Sequence, residues 1–277
     1  MSGGHERDLL LAFDTSGSLG SVCVARGDRI LARGFLTRRG EHASHLVPRI
    51  RDTLRTAGVE MGDLDGVLVG EGPGSFTGVR VAAATAKGLT HALGVALWPV
   101  SSLAAGAASV GVRVPLPDEP LPTEPVAGDP FADEEDPEEA HSSADGAGGL
   151  PEGDRERPRY VLFDARADRV FAACYRFLRE RLELLVPPGP DRIGELLAAG
   201  PPEGALFCGE GALRHSPEIQ EAGYPVLSLP AGLPTAQGLL RVHRILGERA
   251  PEPSPNMWEP AYLREWKGST FDAGVSG

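Results

Sequence analysis

Short apolar runs separated by glycine, proline and charged turns open the chain, and they read as strands. Leu9–Phe13 is the first and ends at Asp14-Thr15-Ser16. Ser21–Ala25 is the second, Gly27-Asp28 makes a tight turn, and Ile30–Phe35 is the third. Short strands joined by such turns form an antiparallel meander. The period then changes. Leu46, Val47, Ile50, Leu54 and Ala57 recur close to i, i+4, i+8 and i+11, one apolar stripe on a helix spanning 41–57 and stopped by Gly58. Pro48 must lie in the first turn of that helix or kink it. Leu64–Val69 reads as a buried strand. A glycine-rich loop, Gly70–Gly78, follows it, then an alanine-rich helix from about Arg80 to Leu93, a strand Val95–Val100, and a short helix opened by Ser101-Ser102. The order βββαβαβα predicts a mixed sheet with helices on its faces.

The same logic returns further on. Tyr160–Phe163 and Val170–Phe177 read as strands around the polar turn 164–168, and Leu182–Val186 as a third. Ile193–Ala198 reads as a helix, Ala205–Cys208 as a strand entering the turn Gly209-Glu210-Gly211, and Thr235–Leu246 as a helix begun by Thr235 or Pro234. The tail, Glu259–Arg264, is marked by proline and reads as extended. Each half carries an aspartate at its first turn, Asp14 and Asp164. Two such halves resemble the duplicated α/β architecture of the actin-like, sugar-kinase and Hsp70 ATPase group: two lobes, each a mixed sheet with helices. Lobes at 1–113 and 158–277 are expected, with a return of the C-terminal part to the first lobe left open.

Charge separates these halves. Between Val114 and Asp154 stand thirteen acidic residues, eight prolines and five glycines, and no Lys or Arg. Such a segment cannot bury enough apolar surface to offset chain entropy, so 114–157 is expected to be a disordered linker. The net charge of −12 therefore describes that segment, and the rest of the chain is close to neutral. No dense basic patch of the kind a direct nucleic-acid binder shows is evident. Cys23, Cys174 and Cys208 are far apart, odd in number and lie in apolar runs, which argues against a disulfide framework or a zinc knuckle. The N-terminus lacks a signal-peptide pattern and no run reaches membrane-spanning length, so a cytoplasmic location is expected.

Strand, glycine turn and helix is a common way to aim backbone N–H groups at an anion. Yet Gly70–Gly78 fits no standard version. A P-loop needs Gly-Lys-Ser/Thr where Gly78 precedes Val79, and neither the Rossmann spacing nor a nucleophile elbow centred on Ser75 is met. Asp14, Thr15, Ser16, Gly72, Gly74, Ser75, Thr77 and Gly78 are the candidate, vestigial phosphate-facing positions. The competing reading is a tight connection that lets the next helix pack closely on the sheet. His42 and His45 sit three apart on a helix, but no carboxylate or cysteine cluster completes a metal site. No metal and no cofactor is expected.

LLAFDTS, Glu41-His42 at a helix start, GEGPGSFTGVR, FDARADRVFAACY at Phe163–Tyr175 and PAYLR at Pro260–Arg264 together resemble the TsaB family. The resemblance covers nearly everything outside the acidic segment, and the GPGSFTG string is its most specific part. It implies a non-catalytic subunit of the machinery that forms N6-threonylcarbamoyladenosine at position 37 of tRNA, activating a TsaD-type transferase. A TsaE-type ATPase would join through the complex, tRNA would be met only through it, and the chain alone would pair with itself. TsaD carries two metal-ligating histidines after the strand matching Val95–Val100; here the corresponding positions are Ser102 and Gly106. The helices 41–57 and 80–93 would form the partner face, with Arg51, Leu54, Arg80, Ala83, Ala84, Lys87 and His91 as its candidate residues. The alternative is a stand-alone actin-like ATPase or an M22-type metallopeptidase.

Overall fold

The computed structural model describes residues 8–37, 42–114, 152–165, 168–178, 181–247 and 249–261. The acidic segment 115–151 and the residues after Ala261 lie outside the described residues, as do most of the linker reading and most of PAYLR. At the end of the expected linker 114–157, residues 152–157 are described, with a short 3-10 turn at Glu152–Asp154 and Arg157 bonded to Asp154 and to the Gly204 carbonyl. Among the described residues, no helix is long and apolar enough to cross a membrane.

The first lobe is a five-stranded mixed sheet. β1 (Leu9–Asp14), β2 (Gly20–Arg26) and β3 (Arg29–Leu36) form the predicted meander, and β4 (Gly66–Gly70) and β5 (Ala96–Val100) run parallel to β1 in the order β3-β2-β1-β4-β5. α1 (His42–Ala57) and α2 (Phe76–Leu93) cover one face, and α3 (Ser102–Ala108) the other. Strand alternation divides the sheet's side chains between two cores. Leu9, Leu11 and Phe13 pack with Leu46, Ile50 and Leu54 of α1 and Ala82, Ala83 and Ala86 of α2. Leu10 and Ala12 point the opposite way, toward α3 and the second lobe.

The second lobe repeats this plan in reduced form. β6 (Arg159–Asp164), β7 (Arg169–Phe177), β8 (Leu182–Arg192) and β9 (Leu206–Cys208) stand in the order β8-β7-β6-β9, with β9 parallel to β6. The position that β5 holds in the first lobe is left with one parallel bridge, Phe207 to Val226. α4 (Ile193–Ala198), α5 (Glu210–Arg214) and α6 (Ser216–Glu221) follow, and α7 (Ala236–Ile245) crosses to pack on α3. Val161, Phe163, Ala173 and Tyr175 of the second sheet join Leu10, Ala12, α3 and α7 in one apolar core. The two lobes are thus fused through α3 and α7. The architecture is the two-lobed α/β fold of the actin-like type.

Several element boundaries differ from the sequence reading, each for a local reason. α2 begins at Phe76, four residues before the expected start, because the Ser75 hydroxyl caps it by accepting the Gly78 N–H at 3.3 Å. Phe76, Thr77 and Gly78 are therefore helix, not loop. α1 runs through Pro48, which lies beyond its first turn. Val47, counted in the apolar stripe, is 44% exposed, and Leu46, Ile50 and Leu54 carry the apolar buried face of the helix. β8 continues six residues past Val186, and α6 had no apolar signal long enough to predict it.

Candidate functional site

β1 ends at Asp14 on the face that looks toward the second lobe, and there the chain turns. The aspartate is wholly buried. Its Oδ1 accepts the Ser16 backbone N–H at 2.7 Å and the Ser16 hydroxyl at 2.6 Å, and its Oδ2 accepts the Ser102 hydroxyl at 2.7 Å. Ser102 Oγ in turn accepts the Gly72 N–H at 3.1 Å, and the Ser102 N–H donates to the Gly72 carbonyl at 2.9 Å. A single network thus ties the turn after β1, the glycine loop after β4 and the start of α3. Gly70 has no side chain because the Asp14 carboxylate occupies the space a Cβ would need.

The loop's polar backbone is largely spent inside the chain. Glu71 donates its N–H to the Val100 carbonyl, Ser75 donates to the Ser16 carbonyl at 2.7 Å, and the Thr15 hydroxyl donates to the Gly78 carbonyl at 2.7 Å. A methyl group on Gly78 would strike the Thr15 carbonyl oxygen. Glycine is needed there so that the first turn of α2 can lie against the turn after β1. Of the candidate phosphate positions, Asp14, Thr15, Ser16, Gly72 and Gly78 are buried, Gly74 is half-buried, and Ser75 and Thr77 are exposed. Asp14 and Ser102 are both enclosed and bonded to each other, which leaves Ser102 no approach to a substrate.

Segment 231–236 makes close contacts at the junction of the lobes. The Ala231 carbonyl accepts the Gly209 N–H at 3.0 Å, so the first N–H of the second glycine turn is taken. Gly232 (φ +83°) lies against Gly209, and its carbonyl would be 2.6 Å from a Cβ on Gly106. Pro234 packs over Gly17, the Ser109 and Thr235 hydroxyls share a hydrogen bond of 2.7 Å, and Ala236 donates its N–H to Ser21 Oγ at 2.8 Å. Both carboxylate oxygens of Asp164, the second-lobe counterpart of Asp14, accept from Arg214 Nη1 at 2.8 Å. Ala231, Gly232, Leu233 and Arg214 were not singled out by the sequence reading, and Pro234 and Thr235 were read only as a helix start. Their signal, a glycine, one proline and one arginine, becomes legible only when the lobes are brought together.

Metal chemistry has no foothold among the described residues, where no group of three or more His, Cys, Asp or Glu side chains could hold an ion. Ser102 is committed to Asp14, and the Gly232 carbonyl leaves no room for an imidazole at Gly106. His45 is exposed on α1. Burial pushes the thiols of Cys23, Cys174 and Cys208 up to about 12, so none is a nucleophile near neutral pH.

The helices on the outer face are different. On α2, Phe76, Arg80, Ala84, Gly88 and His91 are exposed along one stripe, and on α1 Ser44, Val47, Pro48, Arg51 and Arg55 form another. Phe76 is 49% exposed, and the Arg80 guanidinium lies 3.7 Å from its ring centroid. Lys87 is half-buried. Leu54 and Ala83, both read as partner-facing, are 3% and 6% exposed and belong to the lobe's own core, because they fall on the stripes that face the sheet.

A family model described as "TsaD: tRNA N6-adenosine threonylcarbamoyltransferase" matches residues 37–124. The tRNA threonylcarbamoyladenosine biosynthesis protein TsaB of Escherichia coli is 39% identical over 94 residues, which is 34% of this chain and 40% of that protein. TsaB of Haemophilus influenzae is 37% identical over 99 residues, 35% of this chain and 41% of that one. An uncharacterised protein of Mycobacterium tuberculosis is 36% identical over 105 residues, 37% and 50% of the two chains. The matched segment thus spans half or less of the length of these relatives. By structure the likeness is wider. A Pseudomonas aeruginosa protein described as similar to peptidase YeaZ superposes with a TM-score of 0.66 at 25% identity, over 93% of this chain and all of that one. YeaZ from the same organism superposes at 0.60 over 85% of this chain. The chain is thus similar in sequence to TsaB proteins across its first lobe, and similar in structure to YeaZ proteins across both lobes.

Proposed function

We propose that this chain is a non-catalytic subunit in the formation of N6-threonylcarbamoyladenosine at position 37 of tRNA. It would dock on a TsaD-type transferase through the outer faces of α1 and α2 and hold that subunit in its active geometry. The observation that carries this reading is the contrast between the two sides of the first lobe. On the inner side, several polar groups at the strand ends are engaged by the chain's own contacts: Asp14 by Ser16 and Ser102, the Gly209 N–H by Ala231, and Asp164 by Arg214. On the outer side, α2 carries Ala84 and Gly88 on an exposed face, where small residues permit a short interaxial distance to a neighbouring helix, toward the low end of about 8–10 Å. Arg51, Arg80, Lys87 and His91 supply polar anchors around that strip. A TsaE-type ATPase and the tRNA would meet this chain within the assembly, and in the absence of the transferase the same face would pair two copies.

The test is Ala84→Glu. The side chain is exposed, so the fold should be retained, with an unchanged circular dichroism spectrum. Co-purification with a TsaD-type subunit should be lost, and tRNA modification by the reconstituted assembly should fall at least tenfold, the effect of roughly 1.4 kcal/mol or more at an interface core. Unchanged complex and activity would refute the assignment of the face. ATP turnover by the purified chain alone would refute the non-catalytic role.

A further inference from the structure

After α7 the chain returns to the first lobe as a strap, residues 249–261. Glu252 donates its N–H to the Leu97 carbonyl of the edge strand β5 at 2.8 Å, the Arg249 carbonyl accepts the Trp98 indole N–H at 3.1 Å, and Ala261 donates to the Glu71 carbonyl at 2.9 Å. Trp258 is buried in the core under α1 and α2, and Asn256 Nδ2 lies 3.5 Å from His91 Nδ1 near the end of α2. Across the sheet, α1 packs over β3 and β2, α2 over β4 and β1, and the strap along β5. α2 is therefore flanked by α1 on one side and by the strap on the other.

Met257 stands between Asn256 and Trp258, two residues fixed to this lobe, yet its side chain is 79% exposed. Among the described residues four large apolar side chains are exposed. Three of them, Val47 on α1, Phe76 on α2 and Met257 on the strap, belong to these three neighbouring elements. Phe76, Ala84, Gly88 and Ala92 are all exposed and follow one row of α2 at multiples of four residues. Apolar side chains gathered on one surface and left in water mark an interaction site.

Charge narrows what that site accepts. α1 and α2 carry five cations, Arg49, Arg51, Arg55, Arg80 and Lys87, against one acid, Asp52, which lies 3.1 Å from Arg55. Arg49 packs its Cδ against Gly34 of β3, while Arg51, Arg55 and Arg80 are exposed and Lys87 is half-buried. Two copies related by a twofold axis would set this surface against itself, cations beside cations. An acidic surface would be attracted by the same charges, and like-charge contact would reject the self-pair.

We propose that α1, α2 and the strap form one docking surface, and that its occupant is an acidic helical face of a different protein in preference to a second copy of this chain. The surface is the docking face proposed above and rests on that reading; it gains the strap as a third element and a sign of charge for its partner. The row on α2 has an aromatic ring near one end and the Met257 thioether near the other, and an unbranched thioether fills irregular gaps against a partner. The cations work at longer range. They speed association with an acidic face and leave the pair of two copies the weaker assembly.

The test measures binding of the full chain to the TsaD-type subunit of the same organism at about 50 and about 500 mM NaCl. Met257→Ser should keep the parent's thermal midpoint, because the side chain is exposed, and lose affinity by about fivefold or more. Arg51→Glu combined with Lys87→Glu should lose about tenfold or more at the lower salt, mostly in the association rate, and the parent's own affinity should fall as salt rises. The same double variant, alone in sedimentation velocity, should self-associate about threefold more tightly than the parent, although its net charge is more negative. Unchanged affinity in Met257→Ser would overturn the three-element surface. Equal or tighter binding of the double variant to the subunit, a parent affinity that does not fall with salt, or weaker self-association of the double variant would overturn the charge selection. If Ala84→Glu abolishes the complex while these variants leave it intact, the docking face stands and its strap and charge selection fall. If the parent forms no complex at all, both fall.

Discussion

Gly78 and Gly88 lie in the same helix and do opposite things. At Gly78 the Thr15 carbonyl fills the place of a Cβ, and the loop, the turn after β1 and the cap of α2 all meet there. Gly78→Ala should therefore lower stability by about 2–3 kcal/mol through overpacking of a backbone contact, read as a drop in the denaturant midpoint at unchanged slope. At Gly88 a methyl group would meet nothing within 4 Å beyond its own helix, and the position is exposed. A helix-interior glycine of this kind is a cost to the isolated chain, so Gly88→Ala should raise stability by roughly 0.5–1 kcal/mol. If the face docks as proposed, the same substitution should weaken the complex while strengthening the subunit. Improved binding alongside improved stability would count against close helix packing there.

At the scale of elements, period and punctuation in the sequence predicted the meander, both parallel strands of the first lobe and the helices between them. The information was local: apolar spacing for β1 and α1, glycine and serine for the ends. It was weaker where the signal was shared. Ser75, Phe76, Thr77 and Gly78 look like loop residues by composition, yet one serine cap makes the last three helical. The strap was the least legible element, since its anchoring depends on Trp258 finding a core built by residues some two hundred positions earlier. Trp258→Ala should remove about 3 kcal/mol from the stability of the first lobe, as large aromatic truncations in cores do. Hydrogen exchange should then show the fastest new opening in 249–261 and in α2, and an effect confined to the second lobe would contradict this placement.

At the scale of the whole molecule, α3 and α7 make one core of what the sequence presents as two halves. Heat should therefore unfold the lobes together, as one calorimetric transition whose van't Hoff and calorimetric enthalpies agree, and two resolved transitions would show the shared core to be weaker than its contacts imply. A duplicated plan with an aspartate at the first turn of each half could be read from the chain, and so could the absence of a P-loop, a histidine pair and a zinc motif. Those are properties of residue type and short spacing. The fate of the candidate phosphate positions could not be read this way. Asp14 and Gly209 have the local character of a ligand site, and only the folded chain shows Ser102 and Ala231 already in contact with them. Likewise, sequence marked α1 as amphipathic and α2 as rich in small residues, but it could not say that Leu54 and Ala83 turn inward while Ala84 and Arg80 turn out. Helical and strand periods are set within a few residues and are therefore written locally. Which donor fills which acceptor, and which face of a helix stays open, depend on long-range packing, and that was decided by the tertiary structure alone.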